Sequence, residues 1–141
     1  IRPVVGIEDG LWPVKANAGQ MMQLISNLTL NAIHAAGKKE RVWVCAENVP
    51  ARAAAAAGLE LRKHIMITVR DEGHGIPPDH MEHIFEPFFT TKKHGTGLGL
   101  ATSQLIAKDH MGRITVKSQV GHGTTFTVYL PASPGPSASG S

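Results

Sequence analysis

Two alternating segments near the C-terminus constrain the fold more than any other feature. Residues 113–119, RITVKSQ, and residues 124–130, TTFTVYL, alternate apolar and polar side chains, and the turn VGHG separates them. Alternation with a period of two is typical of a strand with one buried face, and a short glycine-containing turn between two such runs predicts a β-hairpin. Because hairpin-linked strands run antiparallel, the chain is not expected to form a doubly wound parallel sheet.

The rest of the chain alternates between helical and strand patterns. Apolar side chains recur at helical spacing over residues 18–36 and 98–111, and strands are predicted at 41–47 and 64–71, with one more before the first helix. The remaining predictions are a long connection with one helical turn at 48–63, loops at 71–80 and 86–98, and a short helix at 81–85. This order predicts an α/β fold, a two-layer α/β sandwich with helices on one face of a mixed, mostly antiparallel sheet.

Composition sets the size of the domain and excludes several classes of protein. The 141 residues, 42% of them apolar, suffice for one core and are too apolar for a disordered chain. Cys45 is the sole cysteine, which excludes a disulfide scaffold, and no apolar run reaches the roughly 18 residues of a membrane span. We predict one domain over residues 1–131 and a disordered tail or linker at 132–141, and Ile1 looks like the cut end of a larger protein.

Charge and metal-ligand spacing exclude further functions. The net charge of +3 comes from scattered lysines and arginines, which favours a small anionic ligand such as a nucleotide over nucleic acid. His80 and His83 lack a third ligand at matching spacing, so no zinc site is expected. Ser26 and Ser103 lie in predicted helices rather than in a nucleophile elbow, which argues against a serine hydrolase.

The first helix carries an unusual polar stripe. Its members are Gln20, Gln23, Asn27, Asn31 and His34. Asparagine is a poor helix former, so two of them one turn apart need a reason. Either the stripe is a solvated face, or its neutral amide oxygens ligate Mg²⁺ without neutralising the charge that phosphates require.

Three glycine-rich segments are individually weak signals. Residues 71–76, DEGHGI, place a carboxylate at a strand end, which suits an amine such as that of adenine but also describes many turns. Residues 95–100, GTGLGL, open a helix as a phosphate-binding loop does, or act as a flexible hinge. Residues 121–126, GHGTTF, read alone as a hairpin turn and strand.

The joint order of these segments carries more information than any one of them. Residues 27–32, 71–76, 85–92, 95–100 and 121–126 together closely resemble the ATP-binding catalytic domain of bacterial sensor histidine kinases. This is the Bergerat-type fold, shared with gyrase, mismatch-repair and heat-shock chaperone ATPases. The resemblance runs from about residue 1 to Pro131 and implies ATP and Mg²⁺ as cofactors.

The resemblance implies a role for each matching residue. Asn31 matches the Mg²⁺ ligand, Asn27 faces the phosphates, and Lys92 in the lid at 86–96 is the candidate phosphate contact, so these three are the implied catalytic residues. Asp71 matches the acceptor of the adenine amine, Gly73 and Gly75 let adenine approach, and Thr124 supports the adenine end. The other implied nucleotide-binding residues are His34, Ala35, Ile76, Gly95, Thr96, Gly97, Leu98, Gly99 and Leu100.

The resemblance also implies a reaction and its partners. The γ-phosphoryl group would pass to a histidine on an N-terminal dimerisation and phosphoacceptor domain that this chain lacks, and then to a response-regulator receiver domain, separate or fused after residue 141. The fragment alone is expected to bind ATP without autophosphorylating, in the cytoplasm, with no direct membrane contact and no nucleic acid. Hydrolysis should be slow, because Asn27 stands where the chaperone and gyrase branch has a glutamate base. The alternatives are an ATPase or an anti-sigma-type serine kinase of this fold, or a non-catalytic module.

Overall fold

The computed structural model describes residues 3–36, 41–89 and 99–133, and these build a five-stranded sheet. The strands are β1 (Val4–Ile7), β2 (Val42–Val49), β3 (His64–Asp71), β4 (Arg113–Gln119) and β5 (Gly123–Pro131). Their order across the sheet is β1-β2-β3-β5-β4, with β1 parallel to β2 and the other pairs antiparallel. The predicted hairpin is the β4–β5 pair, and the mixed, mostly antiparallel sheet is confirmed.

The helices supply the second layer. They are α1 (Ala18–Ala36), α2 (Ala51–Ala56), α3 (Pro78–Met81) and α4 (Gly99–Asp109). Leu24 and Leu28 of α1 and Ile106 of α4 share one core with Val69 and Phe126 of the sheet. Val69 and Phe126 are paired across β3 and β5, so their side chains lie on the same face of the sheet. Both long helices therefore cover that face, as the two-layer α/β prediction requires. Among the described residues no helix is long and apolar enough to cross a bilayer.

One histidine ties the two long helices together at their ends. The Asn17 side chain caps α1 by accepting the Gln20 N–H at 2.9 Å. The Asn17 N–H in turn donates to His110 Nε2 at 3.1 Å, just beyond the end of α4. Since Nε2 accepts, Nδ1 carries the hydrogen and donates it to the Ile106 carbonyl at 2.8 Å.

The boundaries differ from the sequence prediction by more than one residue in three places. β2 continues to Val49, because Asn48 and Val49 still pair with β3, and the helical turn predicted within 48–63 is the six-residue helix α2 directly after Pro50. The short helix begins at Pro78, which suits a first helical position, and covers 78–81 instead of 81–85. α4 ends at Asp109 because Met111 has a φ of 60°. The proposed boundary after Pro131 stays a prediction.

Candidate functional site

Asp71 is a buried carboxylate at the end of the central strand β3. It is 3% exposed and continues the alternating face that carries the core residues Ile67 and Val69. A buried charge is costly unless polar groups satisfy it. The Gly73 N–H supplies one such bond, donating to Asp71 Oδ1 at 2.8 Å. The carboxylate therefore has a fixed position where β3 passes into the following loop.

Thr124 and Ser118 extend this position across two more strands. Thr124 is the register partner of Asp71 between β3 and β5, and Ser118 is the partner of Thr124 between β5 and β4. The two hydroxyl oxygens are 2.8 Å apart. The Ile76 N–H donates to Ser118 Oγ at 2.7 Å. The loop that follows Asp71 therefore folds back to contact the row of cross-strand neighbours formed by Asp71, Thr124 and Ser118. We call these residues, with Gly73 and Gly75, the Asp71 end of the site.

Gly73 and Gly75 are places where backbone packs directly on backbone. A Cβ at Gly73 would overlap the carbonyl group of Ala35, and one at Gly75 would overlap the carbonyl group of Gln119. Gly75 also has a φ of 78°, which other L-residues rarely adopt. The resemblance assigned these glycines to the approach of a ligand. The contacts with α1 and the β4–β5 turn already require glycine at both positions, whatever the loop binds.

Asn27, Asn31 and Gly99 form a second group, which we call the Asn27 end. The Asn27 Nδ2 donates to the Gly99 carbonyl at 3.3 Å, and Ser103 Oγ donates to the same carbonyl at 2.8 Å. Asn27 therefore bridges α1 to the first residue of α4. Asn31 lies one turn further along α1 and is half-buried.

The polar stripe of α1 is thus not uniformly solvated. Gln20, Gln23 and His34 are exposed, while Asn27 and Asn31 are half-buried. Ala35 lies where α1 meets Gly73. From Asn27 to Ala35 the helix rises by about 12 Å, at 1.5 Å per residue. The two ends of the site are therefore held at a fixed separation by one helix.

The structure describes some of the other predicted site residues but not all of them. Ile76 and Leu100 are half-buried against the core. Lys92, Gly95, Thr96, Gly97 and Leu98 lie outside the described residues. A groove of about 740 Å³ between α4, β4 and Phe85 contains none of the predicted residues.

Ser118 is a site residue that the sequence analysis missed. The signal was available, because Ile114, Val116 and Ser118 alternate on one face of β4 and the first two pack against the core. A hydroxyl at a core-facing strand position is expected to have a specific hydrogen-bond partner. No glycine or charge marks the position, so motif searching passes over it.

His83, which lies outside both ends of the site, has a raised pKa. The hydrogen bond from His83 Nδ1 to Glu86 Oε2, at 2.6 Å, raises the pKa of His83, and the negative charge of Glu86 adds to the effect. Among the described residues there is no group of three His, Cys, Asp or Glu side chains that could hold a metal ion.

Comparison with known proteins assigns the family. The profile of the histidine kinase-, DNA gyrase B- and HSP90-like ATPases matches residues 16–134, and the chain belongs to that family. Within it, the chain is an ATP-binding catalytic domain of the sensor histidine kinase type.

The relatives make that narrower assignment. The sensor histidine kinase ZraS of Salmonella typhi is 44% identical over 118 residues, and the sensor kinase CckA of Brucella abortus is 45% identical over 128 residues. These matches cover 84% and 86% of this chain but only 23% and 13% of the relatives. The catalytic domain of the histidine kinase ThkA superposes with a TM-score of 0.75 at 29% identity, covering 92% of this chain and 78% of that chain.

Proposed function

We propose that this domain holds ATP along α1 and transfers its γ-phosphoryl group to a histidine on another domain of the same protein, from which it passes to an aspartate of a response-regulator receiver domain. The observation that carries the proposal is the buried Asp71 carboxylate, joined by one helix to two half-buried asparagines. Along α1, Asn27 and Ala35 are separated by about 12 Å, or roughly two helical turns, so the two ends lie at different positions along one helix.

The Asp71 end is proposed to read the base. An ionised carboxylate only accepts hydrogen bonds, and the exocyclic amine of adenine donates them. Guanine presents a carbonyl oxygen at that position, which would face the carboxylate and leave both groups unpaired. A site built to bond one polar group rejects an analogue that lacks it. Adenine should therefore be preferred, with Thr124 supporting the same edge of the base.

The Asn27 end is proposed to hold the phosphates and Mg²⁺. Mg²⁺ prefers oxygen ligands, keeps several waters and often shares phosphate oxygens with its substrate, so the Asn31 amide oxygen suits it as a single protein ligand. When bound, Mg²⁺ would neutralise charge on the phosphate oxygens. Asn27 faces the phosphates one turn earlier on α1. The GTGLGL loop and Lys92 are proposed as further phosphate contacts, the loop through its N–H groups at the start of α4.

The proposed chemistry depends on positioning more than on acid–base catalysis. Phosphoryl transfer needs an aligned nucleophile and charge stabilisation, and both follow from a fixed nucleotide. The asparagine amide at position 27 cannot take a proton from water near neutral pH. Water is therefore a poor acceptor here, which favours transfer to an imidazole over hydrolysis. Rapid steady phosphate release by the unmodified chain would instead indicate an ATPase.

Calorimetric titration tests nucleotide binding directly. The chain is titrated with a non-hydrolysable ATP analogue and with the matching GTP analogue, each with and without Mg²⁺. We expect binding that requires Mg²⁺ for full affinity and prefers adenine by at least about tenfold, or 1.4 kcal/mol. Equal binding of both analogues would contradict the assignment of Asp71, and binding of neither would contradict the proposal as a whole.

A chimera tests phosphoryl transfer. The segment of Salmonella typhi ZraS that aligns with this chain is replaced by this chain, and incorporation of label from γ-labelled ATP is followed. We expect an acid-labile, histidine-linked phosphate that disappears in the Asn31→Ala chimera. Leu61→Ala, an exposed position outside the site, serves as the control for handling and folding. A chimera that folds and binds ATP analogue but takes up no label would contradict the transfer step.

A further inference from the structure

The Ser118 hydroxyl joins three segments at the Asp71 end. It accepts the Ile76 N–H at 2.7 Å and lies 2.8 Å from Thr124 Oγ1 and 3.1 Å from the Gly123 carbonyl oxygen. These partners belong to the loop after β3 and to the first two residues of β5. Ser118 itself belongs to β4, so one side chain links a loop and two strands beside Asp71.

The hydrogen of Ser118 decides how Thr124 presents its own hydroxyl. A serine has one hydrogen to donate, and here the Gly123 carbonyl and Thr124 Oγ1 are both within reach. When Ser118 donates to Thr124, the Thr124 hydrogen is directed to another acceptor. When Ser118 donates to Gly123, the Thr124 hydrogen returns to Ser118. Whether the Thr124 hydroxyl can donate to a ligand therefore depends on which acceptor the Ser118 hydroxyl uses.

We propose that Ser118 is a positioning residue that sets base selectivity through Thr124. The inference rests on the proposed function and deepens it. Adenine presents an amine donor next to a ring-nitrogen acceptor, and hypoxanthine presents a carbonyl next to an N–H, which is the reverse pattern. If Asp71 accepts from the amine and Thr124 donates to the ring nitrogen, the pair complements adenine and not hypoxanthine. That arrangement requires Ser118 to donate to Thr124.

Burial strengthens this coupling. Thr124 is 5% exposed and Asp71 is 3% exposed, so water has little access to replace a missing partner. A hydrogen bond is more valuable in such a setting, and an unmade one is more costly. Without Ser118, Thr124 loses its partner at 2.8 Å and the Ile76 N–H loses its acceptor. The loop and the hydroxyl should then no longer be fixed relative to Asp71.

The test compares adenine and hypoxanthine triphosphate analogues in Ser118→Ala and Ser118→Thr. In Ser118→Ala we expect the affinity for the adenine analogue to fall about tenfold while that for the hypoxanthine analogue stays the same. Ser118→Thr keeps the hydroxyl and should restore most of the selectivity. Ser133→Ala is the matched control, because Ser133 also donates to a backbone carbonyl, that of Pro13 at 3.2 Å, but lies outside the site.

A double-mutant cycle separates positioning from general loss of structure. If Ser118 acts through Thr124, the Ser118→Ala/Thr124→Val double variant should be no less selective than Thr124→Val alone. If Ser118→Ala does not fold, Ser118→Cys keeps the volume with a weaker donor, and the same ratio is measured. A folded Ser118→Ala or Ser118→Cys with unchanged selectivity overturns the inference. An unmodified chain that shows no adenine preference overturns the proposed base recognition instead.

Discussion

At the Asp71 end of the site backbone packs on backbone, whereas at the Asn27 end side chains bridge two helices. A Cβ at Gly73 or Gly75 would overlap a neighbouring main chain, and so would one at Gly123, the residue before Thr124. At Gly99 the nearest described atom to a built Cβ is Asn27 Cγ at 3.9 Å. The Asp71 end is therefore part of the folded core, and the Asn27 end is attached to its surface.

This difference predicts that substitutions at the two ends will affect folding stability and ligand binding differently. A change at the Asp71 end disturbs contacts that fix strands, loop and helix together, so folding and base recognition should fail together. A change at the Asn27 end removes one hydrogen bond of 3.3 Å between half-exposed groups, so binding should be lost with little effect on folding.

The largest expected effect contrasts two glycine substitutions. Gly73→Ala should lower the free energy of unfolding by about 3 kcal/mol, because the added methyl group has backbone on one side and the Asp71 carboxylate on the other. Gly99→Ala should leave stability within about 0.5 kcal/mol, since alanine favours the helix that begins there. Urea unfolding of both variants measures the difference. Similar losses in the two variants would contradict the contrast between the ends.

A smaller effect is expected at Asn27. Asn27→Ala removes the bond to the Gly99 carbonyl and should cost less than about 1 kcal/mol of stability, because Ser103 still donates to that carbonyl. Affinity for the ATP analogue with Mg²⁺ should nevertheless fall by about tenfold or more. Gln23→Ala, one turn earlier and exposed, is the matched control. A variant that unfolds readily but binds normally would reverse the assignment of this end.

The smallest effect concerns His83, which lies outside both ends. The partner Glu86 raises the pKa of His83 above the unperturbed 6.5, so protonation favours the pair. Its stabilising contribution is complete below that value and is lost as the pH rises through the folded-state pKa.

An NMR titration of the histidine ring measures this pKa. Glu86→Gln should move the pKa of His83 down toward 6.5, because it removes the negative charge and weakens the acceptor. Selectivity for adenine should not change over the same pH interval, since His83 does not contact the Asp71 end. A pKa that does not respond to the substitution would show that the 2.6 Å contact is not formed in solution.

The periodic parts of the fold were predictable from the sequence. Residues 18–36 match α1 at both ends, and residues 64–71 and 113–119 match β3 and β4, because their alternation reflects burial on one face. The connection at 48–63 was less predictable. β2 runs two residues into this segment and ends at Val49, directly before Pro50. The predicted helical turn is the six-residue helix α2 that follows Pro50, and no motif marked its bounds.

Motifs in the sequence suggested some residues of the candidate site, whereas strand pairing was needed to find others. The family resemblance implied roles for Asp71 and Thr124, and the β3–β5 register places the two residues opposite each other. Ser118 carries no motif: the alternation along β4 shows a hydroxyl on the core-facing side, but only the β4–β5 register places it beside Thr124. The role of Gly73 in seating the loop against Ala35 depends on how α1 packs, which local sequence does not encode.

The most direct test of the account exchanges acceptor for donor at the central carboxylate. Asp71→Asn keeps a carbonyl oxygen that can accept the Gly73 N–H and adds an amide that can donate to a base carbonyl. Calorimetry then gives the ratio of dissociation constants for adenine and hypoxanthine triphosphate analogues. The account predicts at least about a tenfold adenine preference in the unmodified chain and its loss or reversal in Asp71→Asn. An unchanged ratio in a folded variant would contradict base recognition by Asp71.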